Sequence, residues 1–323
     1  MPILPGTERN AAPSFGGTVG QFVAGSYTNP YGTRTYKLSI PSGYHGQSVP
    51  LIIMLHGCTQ TPEDFAAGTR MQAHAEAATF LIVYPAQSGK ANRSGCWNWF
   101  QPSDQQRDCG EPSLIAGITR HVMASYHVDP QRVYVAGMSA GGAMAMIMGV
   151  TYPDLYAAIA VHSGLAYGAA QDLRSALTAM HKGGPDPARQ PNRIREASDP
   201  YTRIVPTIIF HGDQDRTVDP RNGDQVLAQW LITSRTGQYP MDLSEHTTQG
   251  RVPNGHSYTR TSYTDPRAQT VLEQWRIYGA GHAWSGGSRE GSFTDPHGPN
   301  ASQEIVRFFL AHPHTPQNGV PTE

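Results

Sequence analysis

The chain has 323 residues, a formal net charge of −1 and only 15% charged residues. Proteins that bind nucleic acids or anionic membranes generally carry a strong excess of basic residues, so this balance argues against both kinds of partner. No apolar segment approaches the ~20 residues of a membrane-spanning helix. We therefore expect one large domain whose partner is a small molecule or a polymer.

Glycine and proline are abundant, at 34 and 26 residues, which predicts long ordered loops on a rigid scaffold. This composition is typical of an extracellular or periplasmic hydrolase, although no signal peptide is visible. The three cysteines match no zinc-binding spacing, so one disulfide and one free thiol are expected. We predict neither a metal nor a cofactor, and the sequence leaves a homodimer open.

The first ordered elements are predicted to be antiparallel strands. Residues 1–20 are rich in Pro, Gly, Ala and Thr, which indicates an irregular arm. Residues 21–28 and 34–40 flank an Asn-Pro-Tyr-Gly turn and have the pattern of an edge hairpin. Val49–Leu55 and residues 80–85 are continuous apolar runs, as found in strands buried on both faces of a parallel sheet.

Helices alternate with the later strands. Further strands are predicted at residues 132–137, 156–161, 206–211 and 271–278, and helices after Thr61 and at residues 70–78, 112–126, 140–149, 172–181, 220–234 and 301–311, the last capped by Asn300. This alternation predicts an α/β fold with a mostly parallel sheet and helices on both faces.

Two segments depart from that alternation within a single domain that we expect to span residues 21–312. Residues 163–203 are rich in glycine and proline and are expected to pass over the edge of the sheet at which the parallel strands end. Residues 247–264 are polar and β-branched, which indicates a surface hairpin that leads into the last strand. Residues 313–323 are expected to form a flexible tail.

The sequence around Ser139 has the pattern of a nucleophile elbow. An apolar strand runs into residues 137–141, Gly-Met-Ser-Ala-Gly, and a helix of small residues follows. A serine in such a tight turn takes a positive φ, so the residues two positions away on each side must be small. The Ala140 N–H would then lie at a helix N-terminus, where it can stabilise an oxyanion. Alone, the motif is equally compatible with an incidental serine.

Later loops supply a base and an acid. A serine hydroxyl becomes nucleophilic when an imidazole takes its proton and a carboxylate orients that imidazole. We assign His282 as the base, because it follows the last predicted strand in a glycine-rich loop. The H-G-x-x-D-x-x-V spacing favours Asp215 as the acid; Asp213 is the alternative, and Asp219 is interpreted as a helix cap. The order Ser, Asp, His is that of the α/β-hydrolases.

The second oxyanion donor is expected in the loop at residues 56–60. An oxyanion hole needs two N–H groups aimed at one point. Ala140 supplies one, and we expect the backbone N–H of Cys58 or Thr59 to supply the other. His56 is interpreted as a structural hydrogen-bonding residue. A Cys58 nucleophile beside His56 is disfavoured because no other strand supplies that loop with a base.

Several motifs in a fixed order resemble the extracellular polyhydroxybutyrate (PHB) depolymerase family of esterases, which are relatives of the feruloyl esterases. They are L-H-G-C-T-Q at 55–60, C-W-N-W-F at 96–100, G-E-P at 110–112, G-M-S-A-G-G at 137–142, H-G-x-x-D at 211–215 and G-H-A-W at 281–284. The resemblance spans residues 36–310. It implies an α/β-hydrolase fold and an acyl-enzyme mechanism, with the family's triad at Ser139, Asp215 and His282. It also implies a Cys58–Cys96 disulfide, for which a Cys96–Cys109 pair is the local alternative.

The resemblance is less specific for the substrate, for which carboxylic esters in oligomers or polymers are the first expectation. One alternative is a poly(aspartic acid) hydrolase, a group similar in length and layout that cleaves β-amide bonds in a soluble polyanion with the same triad. A second is a feruloyl or acetyl esterase acting on plant polysaccharide. A polyanion would favour a cationic rim, for which the C-terminal third offers Arg216, Arg221, Arg251, Arg260, Arg267, Arg276 and Arg289.

Three tryptophans are hypothesised to form the substrate cleft: Trp97, Trp99 and Trp284. Core packing under long loops is the alternative for Trp97 and Trp99. Two other function classes are disfavoured. An inactive binding module would lack a member of the triad, and a metal-dependent hydrolase would need a ligand spacing that this sequence does not have.

Overall fold

The structure is a computed structural model that describes residues 20–198, 201, 203–236 and 240–314. The predicted arm at residues 1–20 and tail at 313–323 fall outside these residues except at Gly20 and at 313–314. Within the described ranges, no helix combines the length and the apolar composition needed to cross a membrane.

A ten-stranded sheet organises the fold. Its strands are β1 (Gln21–Asn29), β2 (Gly32–Ile40), β3 (Val49–Leu55), β4 (Leu81–Pro85), β5 (Val128–Met138), β6 (Ala158–His162), β7 (Thr207–Gly212), β8 (Ser244–Arg251), β9 (Ser257–Thr264) and β10 (Thr270–Tyr278). Their spatial order is β1-β2-β4-β3-β5-β6-β7-β10-β9-β8. Strands β4, β3, β5, β6, β7 and β10 pair in parallel.

Antiparallel strands close both edges of the sheet. The β1–β2 hairpin joins β4 at one edge, as predicted. At the other edge, β9 pairs with β10 and β8 pairs with β9, which confirms the surface hairpin next to the last strand. Two short parallel strands, β11 (Trp284–Ser285) and β12 (Thr294–Asp295), lie outside the main sheet, in the segment after β10.

Helices cover both faces of the sheet. They are α1 (Pro62–Thr69), α2 (Met71–Ala78), α3 (Gly110–Ser125), α4 (Ala140–Thr151), α5 (Leu173–Lys182), α6 (Arg193–Ser198), α7 (Arg221–Thr236) and α8 (Ala301–Leu310). Residues of α3 to α7 pack into one apolar core, and residues of α1, α2 and α8 pack into the other. The predicted α/β arrangement is confirmed.

Strand β3 shows why the central strands are continuously apolar in the sequence. Leu51 and Ile53 belong to the core on one face, whereas Ile52 and Met54 belong to the core on the other. Successive side chains of a strand point to opposite faces, so a strand covered by helices on both sides needs apolar residues at every position. The parallel strands therefore place their carboxyl ends, and the loops that follow them, along one edge of the sheet.

Local hydrogen bonds fix two of the predicted helix starts. Thr61 caps α1 by accepting from the Asp64 N–H, and Asn300 caps α8 by accepting from the Gln303 N–H. Both side chains satisfy an N–H group that has no partner within its helix. Other observed boundaries differ from the predicted ones by a few residues.

Candidate active site

Ser139 joins β5 to α4 with φ 56° and ψ −121°, which confirms the predicted positive φ. A Cβ on Gly137 would lie 2.2 Å from the Gly141 carbonyl oxygen, and a Cβ on Gly141 would lie 2.1 Å from the Leu55 carbonyl oxygen. Both positions therefore require glycine. The Ser139 N–H donates to the His162 carbonyl oxygen at 2.9 Å, which anchors the strained turn to β6.

The turn at Ser139 also places the N-terminus of α4 next to this serine. Ala140 is the first residue of α4, so its N–H lies at the positive end of the helix dipole. The α4 residues from Ala140 to Thr151 are all buried. A buried, fixed N–H is a favourable donor for a developing oxyanion, because it needs no reorganisation during the reaction.

His282 is held by Asp215. Its Nδ1 lies 2.7 Å from Asp215 Oδ2, and Asp215 Oδ1 accepts from the N–H groups of Thr217 and Val218 at 2.9 Å each. Burial alone would raise the pKa of Asp215, but hydrogen bonds from His211, His282 and Val218 outweigh it and hold that pKa well below its usual value. The carboxylate is therefore charged, and it keeps the proton of a neutral His282 on Nδ1.

The two other carboxylates of this loop have different partners. Asp213 Oδ1 accepts from the Gly279 N–H at 2.6 Å and ties the turn after β7 to the end of β10. Asp219 Oδ1 accepts from the Arg221 N–H at 2.9 Å, at the start of α7. Among the three acids, Asp215 is the one bonded to His282. The geometry thus supports the spacing argument over the Asp213 alternative.

Of the two backbone N–H groups expected as oxyanion donors in the loop after β3, one already has a hydrogen-bond partner. The Thr59 N–H donates to the Ser94 carbonyl oxygen at 2.8 Å, so it is already committed. The Gly57 N–H likewise donates to Gln60 Oε1 at 2.9 Å. Cys58 is consequently the better of the two expected donors, and the expectation for Thr59 is corrected by this backbone hydrogen bond.

His56 is a neutral structural residue. The Gln87 N–H donates to His56 Nε2 at 3.1 Å, so that nitrogen must be the acceptor and Nδ1 must carry the proton. His56 Nδ1 lies 2.8 Å from the Gly57 carbonyl oxygen and donates to it. Burial lowers the pKa of His56, although the bond to Gly57 opposes that shift. The expected role as a structural hydrogen-bonding residue agrees with these contacts.

A disulfide connects the loop after β3 to the segment after β4. Cys58 and Cys96 are bonded, with an S–S distance of 2.06 Å, whereas Cys109 has a free thiol. This is the pairing that the family resemblance implies, rather than Cys96 with Cys109. The disulfide and the Thr59–Ser94 hydrogen bond together hold the loop at residues 56–60 against the segment that follows β4.

Glu111 holds the segment after β4 through contacts with Asn98 and Gln87. This buried carboxylate accepts from the Asn98 N–H at 2.7 Å, from Asn98 Nδ2 at 2.9 Å and from Arg34 Nη2 at 3.2 Å, and it is also bonded by Gln87 Nε2. The G-E-P and C-W-N-W-F motifs therefore build one structure. This role of Glu111 was not predicted from the sequence, in which an acid next to the start of a largely apolar helix was the available signal.

The hypothesis that tryptophans form the cleft is wrong for Trp97 and Trp284, which are 0% and 1% exposed, and Trp99 keeps only 5% exposure. Trp284 stacks on His162 at 4.9 Å between ring centroids and donates from Nε1 to Ser302 Oγ at 3.0 Å. These side chains have almost no surface to offer a ligand. They are core residues beneath the loops. Core packing was the alternative that the sequence left open for Trp97 and Trp99.

Two further histidines support the site and were missed by the sequence analysis. His162 Nε2 accepts from the Ser285 N–H at 3.0 Å, and burial lowers the pKa of His162 to about 3, so the ring is neutral. His211 Nε2 lies 2.8 Å from the Val218 carbonyl oxygen and 3.4 Å from Asp215 Oδ2. Both lie at the carboxyl ends of parallel strands, which was the signal available for them.

Several arginines proposed for a cationic rim have internal partners. Arg260 pairs with Glu273 at 2.7 Å, Arg276 pairs with Asp224 at 2.6 Å, and Arg221 Nη1 donates to a backbone carbonyl oxygen at 2.7 Å. The two ion pairs reduce the charge available to a polyanion, whereas the contact of Arg221 with a neutral carbonyl group leaves its charge in place. Among the residues that the structure describes, no group of three or more His, Cys, Asp or Glu side chains is arranged to hold a metal ion.

Comparisons with known proteins identify relatives. The model of the family described as Esterase PHB depolymerase matches residues 34–237. Poly(3-hydroxyalkanoate) depolymerase C of Paucimonas lemoignei is 35% identical over 257 residues, which cover 79% of this chain and 59% of that protein. Feruloyl esterase B of Neurospora crassa is 34% identical over 188 residues, covering 56% and 63%. Acetylxylan esterase of Coprinopsis cinerea is 31% identical over 245 residues, covering 72% and 61%. The chain thus spans less than two thirds of each relative's length.

Solved structures share the fold. The acetyl xylan esterase from Aspergillus awamori has a TM-score of 0.68 at 19% identity, and the match covers 90% of this chain and 99% of that chain. The feruloyl esterase module from Clostridium thermocellum has a TM-score of 0.54 at 15% identity, covering 82% and 83%. At these identities the likeness shows the fold, which is that of the α/β-hydrolases.

Proposed function

Because the chain belongs to the Esterase PHB depolymerase family, we propose that it is a serine esterase that forms an acyl-enzyme on Ser139. The observation that carries the proposal is the 2.7 Å contact between His282 Nδ1 and Asp215 Oδ2. These residues follow β10 and β7, and the strained Ser139 follows β5, so all three lie at the same edge of the parallel sheet.

In the proposed first step, His282 Nε2 takes the Ser139 hydroxyl proton as Oγ attacks the ester carbonyl carbon. The N–H groups of Ala140 and Cys58 stabilise the oxyanion, and the charged Asp215 stabilises the imidazolium. The imidazolium then gives its proton to the alkoxide oxygen as the bond between the acyl carbon and that oxygen breaks. A water molecule, deprotonated by His282, then attacks the acyl carbon. The bond between that carbon and Ser139 Oγ breaks, Oγ takes the proton back from His282, and the acid leaves the regenerated enzyme.

Carboxylic esters in oligomers or polymers are the proposed substrates. The relatives are named as depolymerases and as feruloyl or acetylxylan esterases, which supports an ester attached to a larger molecule. Internal pairing of Arg260 and Arg276 counts against a poly(aspartic acid) substrate. The Cys58–Cys96 disulfide supports an extracellular or periplasmic location, because disulfides persist in oxidising compartments.

A substrate panel with one active-site variant tests the proposal. The panel holds short p-nitrophenyl esters, hydroxybutyrate oligomers, feruloyl esters, acetylated xylan and β-linked poly(aspartate). We expect ester hydrolysis and fluorophosphonate labelling by the native chain, and loss of both in Ser139→Ala. Ser125→Ala, at the end of α3, is the matched control and retains both. Wild-type ester hydrolysis by Ser139→Ala contradicts the mechanism, and cleavage of poly(aspartate) alone contradicts the substrate class.

A further inference from the structure

Phe293 is an exposed aromatic residue held in an unfavourable backbone conformation. Its side chain is 47% exposed, and its φ is 51°. A bulky residue with a positive φ is a conformational outlier. A half-exposed ring also recovers little of that cost through burial. Outliers of this kind cluster at functional sites, where the surrounding structure maintains them.

Hydrogen bonds on both sides fix the Phe293 backbone. The Trp284 N–H donates to the Phe293 carbonyl oxygen at 2.7 Å. On the preceding residue, the Ser292 N–H donates to Asp64 Oδ1 at 2.9 Å, and the Ser292 hydroxyl donates to the other carboxylate oxygen. On the following residue, Thr294 Oγ1 donates to a backbone carbonyl oxygen at 2.7 Å. The backbone position from which the ring projects is therefore set by the fold.

The same hydrogen-bond network reaches the loop at residues 56–60, which carries the proposed oxyanion donor Cys58. Gln60 Nε2 donates to Asp64 Oδ2 at 3.0 Å and to the Ser292 carbonyl oxygen at 3.1 Å. Gln60 Oε1 accepts from the Gly57 N–H at 2.9 Å. One glutamine thus sets the loop that carries Cys58 and the segment that carries Phe293 in a fixed relation to each other.

Phe293 also lies beside the proposed base. Its ring centroid is 6.4 Å from that of His282, and the two ring planes are inclined at 75°. In the mechanism above, His282 gives its proton to the oxygen of the departing alcohol. The alcohol part of the ester must therefore lie on the His282 side of the site, whereas the carbonyl oxygen lies toward Ala140 and Cys58.

We propose that Phe293 is a specificity-determining residue that contacts the leaving alcohol of the ester. The inference rests on the proposed esterase function and deepens it. An exposed, rigid phenyl ring packs favourably against an apolar or aromatic alcohol group. The structure thus assigns to Phe293 the contact surface that the buried Trp97 and Trp284 cannot supply.

Two acetate esters separate this contact from the chemistry. Methyl and benzyl acetate share the acyl group, and their alcohols are of similar acidity, so their relative rates report on contacts to the alcohol. We expect Phe293→Ala to lower kcat/KM for benzyl acetate about tenfold, because an apolar contact of this size is lost, and to leave methyl acetate within about twofold. Phe293→Leu keeps apolar bulk and should retain most of the selectivity. The ratio of the kcat/KM values for methyl acetate and methyl butyrate reports on contacts to the acyl group, and it should not change.

Controls separate selectivity from folding. Phe293→Gly removes the ring and accepts the positive φ without strain, so it serves if the alanine variant folds poorly. Tyr31→Ala, another exposed aromatic residue at 50% exposure in the β1–β2 turn, should leave the ester ratio unchanged. Equal losses on benzyl and methyl acetate, or no loss on either, overturn the inference. Wild-type hydrolysis by Ser139→Ala instead overturns the proposed function, so the two failures are distinguishable.

Discussion

His56 Nδ1 donates a hydrogen bond to the Gly57 carbonyl oxygen at 2.8 Å, and this bond, with a longer one from the Gln60 N–H at 3.3 Å, fixes the direction of the Cys58 N–H in the same peptide. The C=O and N–H of a trans peptide point in opposite directions. With the Gly57 oxygen held by His56, the Cys58 N–H points away from the imidazole. The Gln87 N–H, 3.1 Å from His56 Nε2, maintains the tautomer that this bond requires.

His56→Ala is expected to lower kcat by about ten- to a hundredfold with a small change in KM, because a misdirected Cys58 N–H loses its bond mainly in the transition state. Steady-state kinetics on a soluble ester measure both constants. The matched control is His127→Ala, whose Nδ1 lies 3.0 Å from the Gly46 carbonyl oxygen in an exposed site. An unchanged kcat in a folded His56→Ala protein would count against the Cys58 donor.

Asp215→Asn is expected to lower kcat/KM by about 10⁴, because the amide can no longer hold His282 in the required tautomer. Asp213→Asn keeps an oxygen that can accept from the Gly279 N–H, so we expect less than about a threefold loss. The comparison is made on the same ester with both variants checked for folding. Equal losses in the two variants would contradict the assignment of Asp215.

Local sequence patterns predicted most of the fold and the central geometry of the site. β3 is apolar at every position because it faces two cores, and the turn at Ser139 requires Gly137 and Gly141 through direct backbone contacts. Such constraints act within a few residues or along one strand. These features can therefore be predicted from the sequence.

Other features depend on contacts between segments that are distant in the chain. Trp284 is exposed or buried according to how its loop packs on His162, and nothing in the G-H-A-W motif specifies that packing. His162 accepts a hydrogen bond from the Ser285 N–H, which belongs to a loop far along the chain. Side-chain chemistry alone cannot tell a histidine that moves protons from one that holds a backbone.

The stability of the protein is expected to fall as the pH drops below about 6.5, the ordinary pKa of histidine. His162 has its pKa lowered by burial to about 3, so the unfolded chain binds a proton there and the folded chain does not. The free energy of unfolding then decreases by up to about 1.4 kcal/mol per pH unit for this group. Its full contribution is present above the unfolded pKa and is lost as the pH falls toward the folded pKa.

Urea denaturation at several pH values between about 7 and 4.5 measures this dependence. His162→Gln keeps an oxygen that can accept from the Ser285 N–H but has no proton to bind, so its stability should change less steeply with pH. His45→Gln, an exposed histidine, is the control and should keep the native slope. Identical slopes in native protein and His162→Gln would show that this group does not contribute.

Reduction of the Cys58–Cys96 disulfide is expected to lower both stability and activity. The bond closes a loop with a sequence separation of 38, for which a loss of about 2–4 kcal/mol in the free energy of unfolding is typical. Cys58 also carries the proposed oxyanion donor, so kcat should fall because the released loop no longer holds that N–H in place. Thermal unfolding and ester hydrolysis, each with and without a reducing agent, measure the two effects.

Cys109→Ser retains the disulfide and should behave like the native chain. A Cys58→Ser, Cys96→Ser double variant with native kcat would show that the Thr59–Ser94 hydrogen bond and the Glu111 contacts hold the loop without the disulfide.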